Sequence, residues 1–381
     1  MIRLSKRSDV DPFFAMDVLA AANKKKKADQ PVISMAVGQP AACCPRLVLE
    51  AAEKALKDGH LGYTDSLGLP LLREKVANYY DEHHHLTISP ERIAVTTGSS
   101  AAFNLAFLTM FDSGDTVAIT RPGYPAYRNI MKSLGLNVLE IDTKGSGLFD
   151  VTMLEKAHRQ TPLKGVLFAS PSNPTGASVS RRNLEEIIKF CGDNNITVIS
   201  DEIYHRLNFS APDITALSFS DEVVVINSFS KYYCMTGWRI GWMVLPVNAV
   251  RAVERIAQNL YISAPELSQI AAISAFDATA ELEKVKDSYR INREQLKKNL
   301  PLLGLTLLAP MDGAFYAYCD VSKYSNDSSE FARQMLDKTN VAATLGIDFD
   351  TLEGNRTIRF SYAGAPEAIS EAMERLKSWL I

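Results

Sequence analysis

The strongest constraint on the fold is an alternation through the middle of the chain. Apolar runs at residues 93–96, 116–119, 166–169, 197–200, 223–227 and 240–245 are rich in Val and Ile and mostly bounded by Gly, Pro, Asp or Ser. Runs this short, without polar alternation, read as strands covered on both faces. Helical patterning separates them at residues 99–110, 125–134 and 181–194. That order requires crossover connections, so the expected class is α/β, with a mainly parallel sheet flanked by helices. From about residue 279 the texture changes. A long charged helical stretch at 281–300 leads to apolar runs at 305–308, 314–319 and 357–361, the pattern of a smaller α+β domain. The start of the chain carries an amphipathic stretch at 13–22 and an extended one at 32–37, with no strand–helix unit of its own. It is therefore expected to join the small domain. The expected division is a large domain over residues 40–279 and a small one from residues 1–39 and 280–381.

Composition narrows the function classes. With 381 residues, 46% hydrophobic and 22% charged, the chain has the balance of a soluble globular protein. Its net charge of −3 gives no general electrostatic grip on nucleic acid or an anionic membrane. The one basic run, Lys24 to Lys27, reads as a solvated helix end favoured by its dipole. The five cysteines, Cys43, Cys44, Cys191, Cys234 and Cys319, show no C-x-x-C or Cys/His ligand spacing. Reduced thiols in a cytoplasmic protein fit them best. No signal-peptide pattern follows Met1, and no uncharged apolar stretch approaches the roughly 18 residues of a membrane span. His83-His84-His85 reads as a solvated turn, because consecutive residues rarely face one ion together. No metal site is expected.

In open parallel sheets, ligands bind at the carboxyl ends of the strands. Those ends carry Gly98-Ser99-Ser100, Tyr124, Ser172-Asn173-Pro174-Thr175-Gly176, Asp201-Glu202-Ile203-Tyr204 and Ser228-Phe229-Ser230-Lys231, with Gly237-Trp238-Arg239 shortly after. The set offers an anion-binding helix start, an aromatic face, a carboxylate, hydroxyls, an arginine and a lysine. A phosphorylated, flat, aldehyde-bearing cofactor needs that inventory. Each residue also has an ordinary reading. Gly98-Ser99-Ser100 taken alone is better read as a serine cap after a turn glycine. Asp201 can cap the next helix, Tyr204 and Asn173 can be turn residues, and Arg239 can serve a structural ion pair. Lys231, just past an apolar strand, is the hardest to read as surface decoration.

Taken together in order and spacing, these motifs are similar to those of the class I/II aminotransferases of pyridoxal-phosphate (PLP) fold type I, and the resemblance covers nearly the whole chain. It implies PLP as cofactor, held as a Schiff base by Lys231. Asp201 would face the ring nitrogen, Tyr204 and Asn173 the phenolic oxygen, and Tyr124 the ring. Ser99, Ser100, Ser228, Ser230 and Arg239 would hold the phosphate. Arg359 would clamp the substrate carboxylate, assisted by Asn173 and the backbone near Gly38. Tyr63 resembles the tyrosine that reaches the neighbouring subunit's phosphate, which implies a homodimer with shared sites. The sequence departs from its relatives at Cys43-Cys44, where a polar residue is usual, and at Ser99, where some aspartate-using relatives have a lysine.

The resemblance implies ping-pong transamination between an L-amino acid and a 2-oxo acid, with Lys231 as general base and acid. The same constellation supports a PLP-dependent β-lyase. A non-catalytic sensor domain would carry a helix-turn-helix unit ahead of the fold, and the motifs begin too early, near Gly38, to leave room for one. The partners expected are small molecules and a second subunit, with no nucleic acid and no membrane. The substrate side chain is not legible from these residues.

Overall fold

The computed structural model describes residues 2–381. Its strands are β1 (Ile33–Met35), β2 (Ile93–Thr96), β3 (Thr116–Arg121), β4 (Asn137–Asp142), β5 (Gly165–Ala169), β6 (Thr197–Asp201), β7 (Val224–Ser228), β8 (Gly241–Val244), β9 (Thr306–Leu307), β10 (Tyr316–Asp320), β11 (Val341–Leu345) and β12 (Thr357–Ser361). Seven of them form one sheet in the order β2-β8-β7-β6-β5-β3-β4. The pairs from β7 across to β4 are parallel, while β8 runs antiparallel to both β7 and β2.

Both faces of this sheet are covered. Successive strand residues point to opposite sides, and they enter two separate cores. Phe168, Val198, Val225 and Trp242 pack on one side. Leu167, Ile199, Val224 and Met243 pack on the other. That is why these strands read as continuous apolar runs. At the sheet edge, β4 has the mixed sequence Asn-Val-Leu-Glu-Ile-Asp and only one fully buried residue, and it was not among the expected strands. The flanking helices bury one stripe each. In Arg181–Asp193, Leu184, Ile187, Ile188 and Cys191 are buried, and the Ser180 side chain caps the helix by accepting from the Asn183 N–H.

The second sheet has the order β1-β11-β12-β10-β9. Here the start of the chain meets its end, because β1 pairs in parallel with β11, with Ile33 opposite Val341. The helix Phe14–Lys27 has no capping side chain of its own at Phe13. Its first N–H groups are satisfied from across the chain by the Asp348 carboxylate, which accepts from Phe14 N at 2.9 Å and Ala15 N at 2.7 Å. The basic run closes the same helix, with Lys25 bonded to the Leu336 carbonyl and 3.2 Å from Asp337.

The histidine run corrects one expectation. His83 and His84 end the helix Pro70–His84, and His85 takes the left-handed position after it. His83 and His85 are exposed, but His84 turns inward against Tyr80 and His205. Two of the three are solvated, and only His85 lies beyond the helix.

Candidate active site

Because β2, β3, β5, β6 and β7 all point one way, the turns after them open at one edge of the sheet. The reversed strand β8 delivers the residue pair before it, Arg239 and Ile240, to the same edge. One cavity there is lined by Gly38, Ser99, Ser100, Tyr124, Asn173, Asp201, Tyr204, Ser230, Lys231, Arg239 and Arg359. Two expected residues stand elsewhere. Ser228 lies behind Ser230, where its hydroxyl bonds to the Ile240 carbonyl at 3.1 Å and to Ser230 Oγ at 2.9 Å. Tyr63 is 81% exposed, away from this cavity, beside Leu61 and Leu267.

At one end of the cavity, the helix Ser99–Met110 starts with no side-chain cap, so its first N–H groups point outward unsatisfied. Gly98 ahead of it has φ +75°, and a Cβ there would sit 2.6 Å from Arg239 Nη2. Only glycine meets both demands. Arg239 itself has φ +51°, a left-handed conformation uncommon for arginine, and its guanidinium is held by the Thr236 carbonyl at 3.0 Å. Helix dipole, free N–H groups, serine hydroxyls and guanidinium together make an anion cradle.

In the middle, Asp201 is 3% exposed. Its carboxylate accepts from Ile203 N at 3.0 Å and from the Tyr127 hydroxyl. Burial pushes its carboxyl up to about 6, against those two bonds and the Lys231 charge. Lys231 Nζ donates to the Gly38 carbonyl at 2.5 Å. Burial, reinforced by the Arg359 charge, pulls the lysine down to about 8, which makes its neutral amine accessible near physiological pH. Gly38 has no alternative either, since a Cβ there would lie 1.9 Å from the Tyr316 hydroxyl.

At the far end, Arg359 is 2% exposed. Its guanidinium lies between the rings of Tyr316 and Phe349, at 4.4 and 4.6 Å from their centroids. Nη1 donates to Asn173 Oδ1 at 2.8 Å and Nη2 to the Ala36 carbonyl, while Nε has no partner. The position is fixed by β12, where Arg359 stands opposite Tyr318 on one side and Thr344 on the other.

Several lining residues escaped the sequence reading. Tyr127 follows Tyr124 by three residues, nearly one helical turn, and that spacing was the available signal. Tyr316 bonds its hydroxyl to that of Tyr204 at 2.6 Å. Phe13, Ala15, Met16 and Val37 form an apolar wall.

Comparison with known proteins agrees along the whole chain. Residues 30–376 match the model of the family described as aminotransferase class I and II. The valine–pyruvate aminotransferase of Mycobacterium tuberculosis is 44% identical over 99% of this chain and 98% of its own. A crystal structure of an aminotransferase from Mycobacterium tuberculosis superposes with a TM-score of 0.96 at 44% identity, covering 100% of this chain and 99% of that one. The Thermus thermophilus aspartate aminotransferase solved with maleate gives 0.92 at 30% identity, covering 100% of each. Fold and relatives together define an enzyme of PLP fold type I that transfers amino groups. The chain belongs to the aminotransferase class I and II family and exchanges an amino group between an L-amino acid and a 2-oxo acid.

Proposed function

We propose that this aminotransferase works with pyridoxal 5′-phosphate linked to Lys231, and that its amino acid carries an apolar side chain. One observation carries the reading. Lys231 and the buried carboxylate Asp201 line one cavity that also holds an anion cradle at Gly98 to Ser100 with Arg239, and that Arg359 lines as well. When bound, the cofactor supplies an aldehyde and an electron sink.

The chain's residues supply the rest. Ser99, Ser100, Ser230 and Arg239 hold the phosphate, with Ser228 supporting Ser230 from behind. Asp201, steadied by Tyr127, keeps a proton on the ring nitrogen. Tyr204 and Asn173 donate to the phenolic oxygen, and Tyr124 covers the ring. Arg359 takes the substrate carboxylate and so orients the Cα–H bond. Once displaced by the substrate's amino group, Lys231 Nζ would, as the neutral amine, take that proton and deliver it to the carbon that had held the lysine rather than back to Cα.

The side-chain specificity follows from what else lines the cavity. Among the described residues its cations are Lys231, Arg239 and Arg359, and each already has a task. None is left for a second carboxylate, whereas Phe13, Met16 and Val37 offer apolar surface. The Mycobacterium tuberculosis relative named for valine and pyruvate supplies the first pair to test. With pyruvate as acceptor, valine or leucine is expected to exceed aspartate in kcat/KM by roughly tenfold or more, the scale of a misfitted polar group in an apolar pocket. Aspartate as the best donor would overturn this specificity.

The proposed assembly is a homodimer, with a small domain of residues 1–39 and 280–381 beside the large domain of 40–279. Tyr63 is held outward on a braced segment, where Gly62 N donates to Glu266 at 2.6 Å and buried Gln269 bonds Leu69 N, Thr64 Oγ1 and the Ala264 carbonyl. From there it is proposed to reach the partner's phosphate site. All five cysteines are free thiols, consistent with the cytoplasm. Among the described residues no helix is long and apolar enough to cross a membrane.

A further inference from the structure

One residue past Asp201 stands a second buried carboxylate, Glu202, 1% exposed, for which transamination has no use. Its Oε1 accepts three hydrogen bonds, from Ala216 N at 2.8 Å, Thr215 Oγ1 at 3.0 Å and Ser200 Oγ at 3.2 Å. Its Oε2 has no partner, and neither has Nδ1 of His205, 3.4 Å away on a ring that is 3% exposed. Two adjacent orphaned polar atoms in a core are costly unless a proton lies between them.

That proton can be arranged in two ways, as a carboxylate with an imidazolium or as a carboxylic acid with a neutral imidazole. The surroundings oppose both charges. The charged group that acts most on Glu202 is another carboxylate, Asp213. From the helix Pro70–His84, Tyr79, Tyr80 and His84 face the pair, and the His84 ring centroid is 5.5 Å from that of His205. Arg206, the neighbouring cation, is engaged elsewhere, by Glu283 at 3.0 Å, His83 at 2.8 Å and the Tyr232 ring. Burial acts the same way, pushing the Glu202 carboxyl up to about 8 and pulling His205 down to about 3. A buried ion pair needs its remaining bonding capacity met, and Oε2 lacks it.

We propose that Glu202 and His205 form a neutral positioning pair beneath the cofactor pocket: Glu202 is held as the carboxylic acid and donates Oε2–H to His205 Nδ1, which leaves the other ring nitrogen to donate to the Ser170 backbone. The Ser170 contact is the interaction that favours a proton on this ring. Ser170 opens the turn that ends in Asn173, and its own N–H donates to the Asp201 carbonyl at 3.2 Å. The pair therefore ties together the roots of Asn173 and Asp201, two residues that face the cavity. Its consequence for substrate binding rests on the cofactor-site reading above; its protonation does not.

Infrared difference spectroscopy tests the protonation directly, with or without PLP. At neutral pH the wild-type protein is expected to show the carbonyl stretch of a buried carboxylic acid, absent in Glu202→Gln and fading in the wild type as pH rises through about 8. No such band at neutral pH overturns the proposal, whatever the cofactor does. The positioning role is read from two substitutions. Glutamine keeps a donor toward Nδ1 and an acceptor for the three donors on Oε1; leucine keeps neither. Glu202→Leu is expected to lose about tenfold in kcat/KM, mostly through KM, as for a buried group left unpaired, and Glu202→Gln to restore most of it. Because the folded-state value is raised, the pair's stabilisation is complete below the unfolded carboxyl range and is lost as pH rises through about 8. Glu202→Gln lacks that decline, and since Lys231 titrates in both proteins their difference isolates Glu202. Glutamine as damaging as leucine, or identical pH profiles in wild type and Glu202→Gln, would overturn the role.

Discussion

Lys231→Ala is expected to abolish the visible absorbance of the lysine-bound cofactor and to lower turnover by roughly 10⁴-fold or more. The loss combines the covalent anchor with a general acid–base group, itself worth about 10² to 10⁴. The magnitude follows from the lysine's place in the site. Its amine donates to the Gly38 carbonyl, and no carboxylate forms an ion pair with it within 4 Å among the described residues. A lysine kept for structure alone would have such a partner, because an unpaired buried ammonium is costly. Burial and Arg359 instead bring its amine down to about 8. The fold should persist in the variant, since the substitution removes one hydrogen bond, to the Gly38 carbonyl inside the cavity. Circular dichroism and absorbance spectra of the purified variant separate the two effects. A variant that kept both its visible band and its turnover would contradict the assignment.

Arg359→Ala is expected to reduce kcat/KM for the amino acid by about 10² to 10³, the scale of truncating one partner of a buried charge pair. The guanidinium lies between Tyr316 and Phe349 and is held by Asn173 and the Ala36 carbonyl, so its orientation is set before substrate arrives. Arg359→Lys keeps the charge and loses the planar fork, and should recover only part of the activity. The anion cradle of Ser99, Ser100 and Arg239, proposed for the phosphate, lies at the opposite end of the cavity, so affinity for PLP should change little. Steady-state kinetics with both substrates, together with a PLP titration, reads the split. Unchanged KM in Arg359→Ala would show that the carboxylate binds elsewhere.

Much of this arrangement was legible because strands and turns announce themselves locally. Runs such as Val-Val-Ile in β7 have no polar face because the sheet is covered on both sides. The residues that follow them must then collect at one edge, and the sequence alone therefore brings Asn173, Asp201 and Lys231 together. Strand direction was not legible. Nothing in Gly-Trp-Met-Val says that β8 runs against its neighbours. β4 was missed because an edge strand exposes part of its surface and loses the apolar signal. The apolar wall from Phe13 and Met16 was hidden for another reason. Its helix is anchored by Asp348, more than three hundred residues away in sequence, and no local pattern encodes that contact. Ser228 shows the limit of motif reading, since a pleat sends its hydroxyl to the Ile240 carbonyl rather than to the cavity. The inward turn of His84 depended likewise on its packing against His205.

Borohydride reduction followed by peptide mass mapping tests the assignment of the reactive amine most directly. Reduction fixes the cofactor irreversibly to whichever nitrogen holds it. The expected product is a single phosphopyridoxyl group on the peptide containing Lys231. The same modification found on another lysine, or none in a preparation that still transaminates, would contradict it.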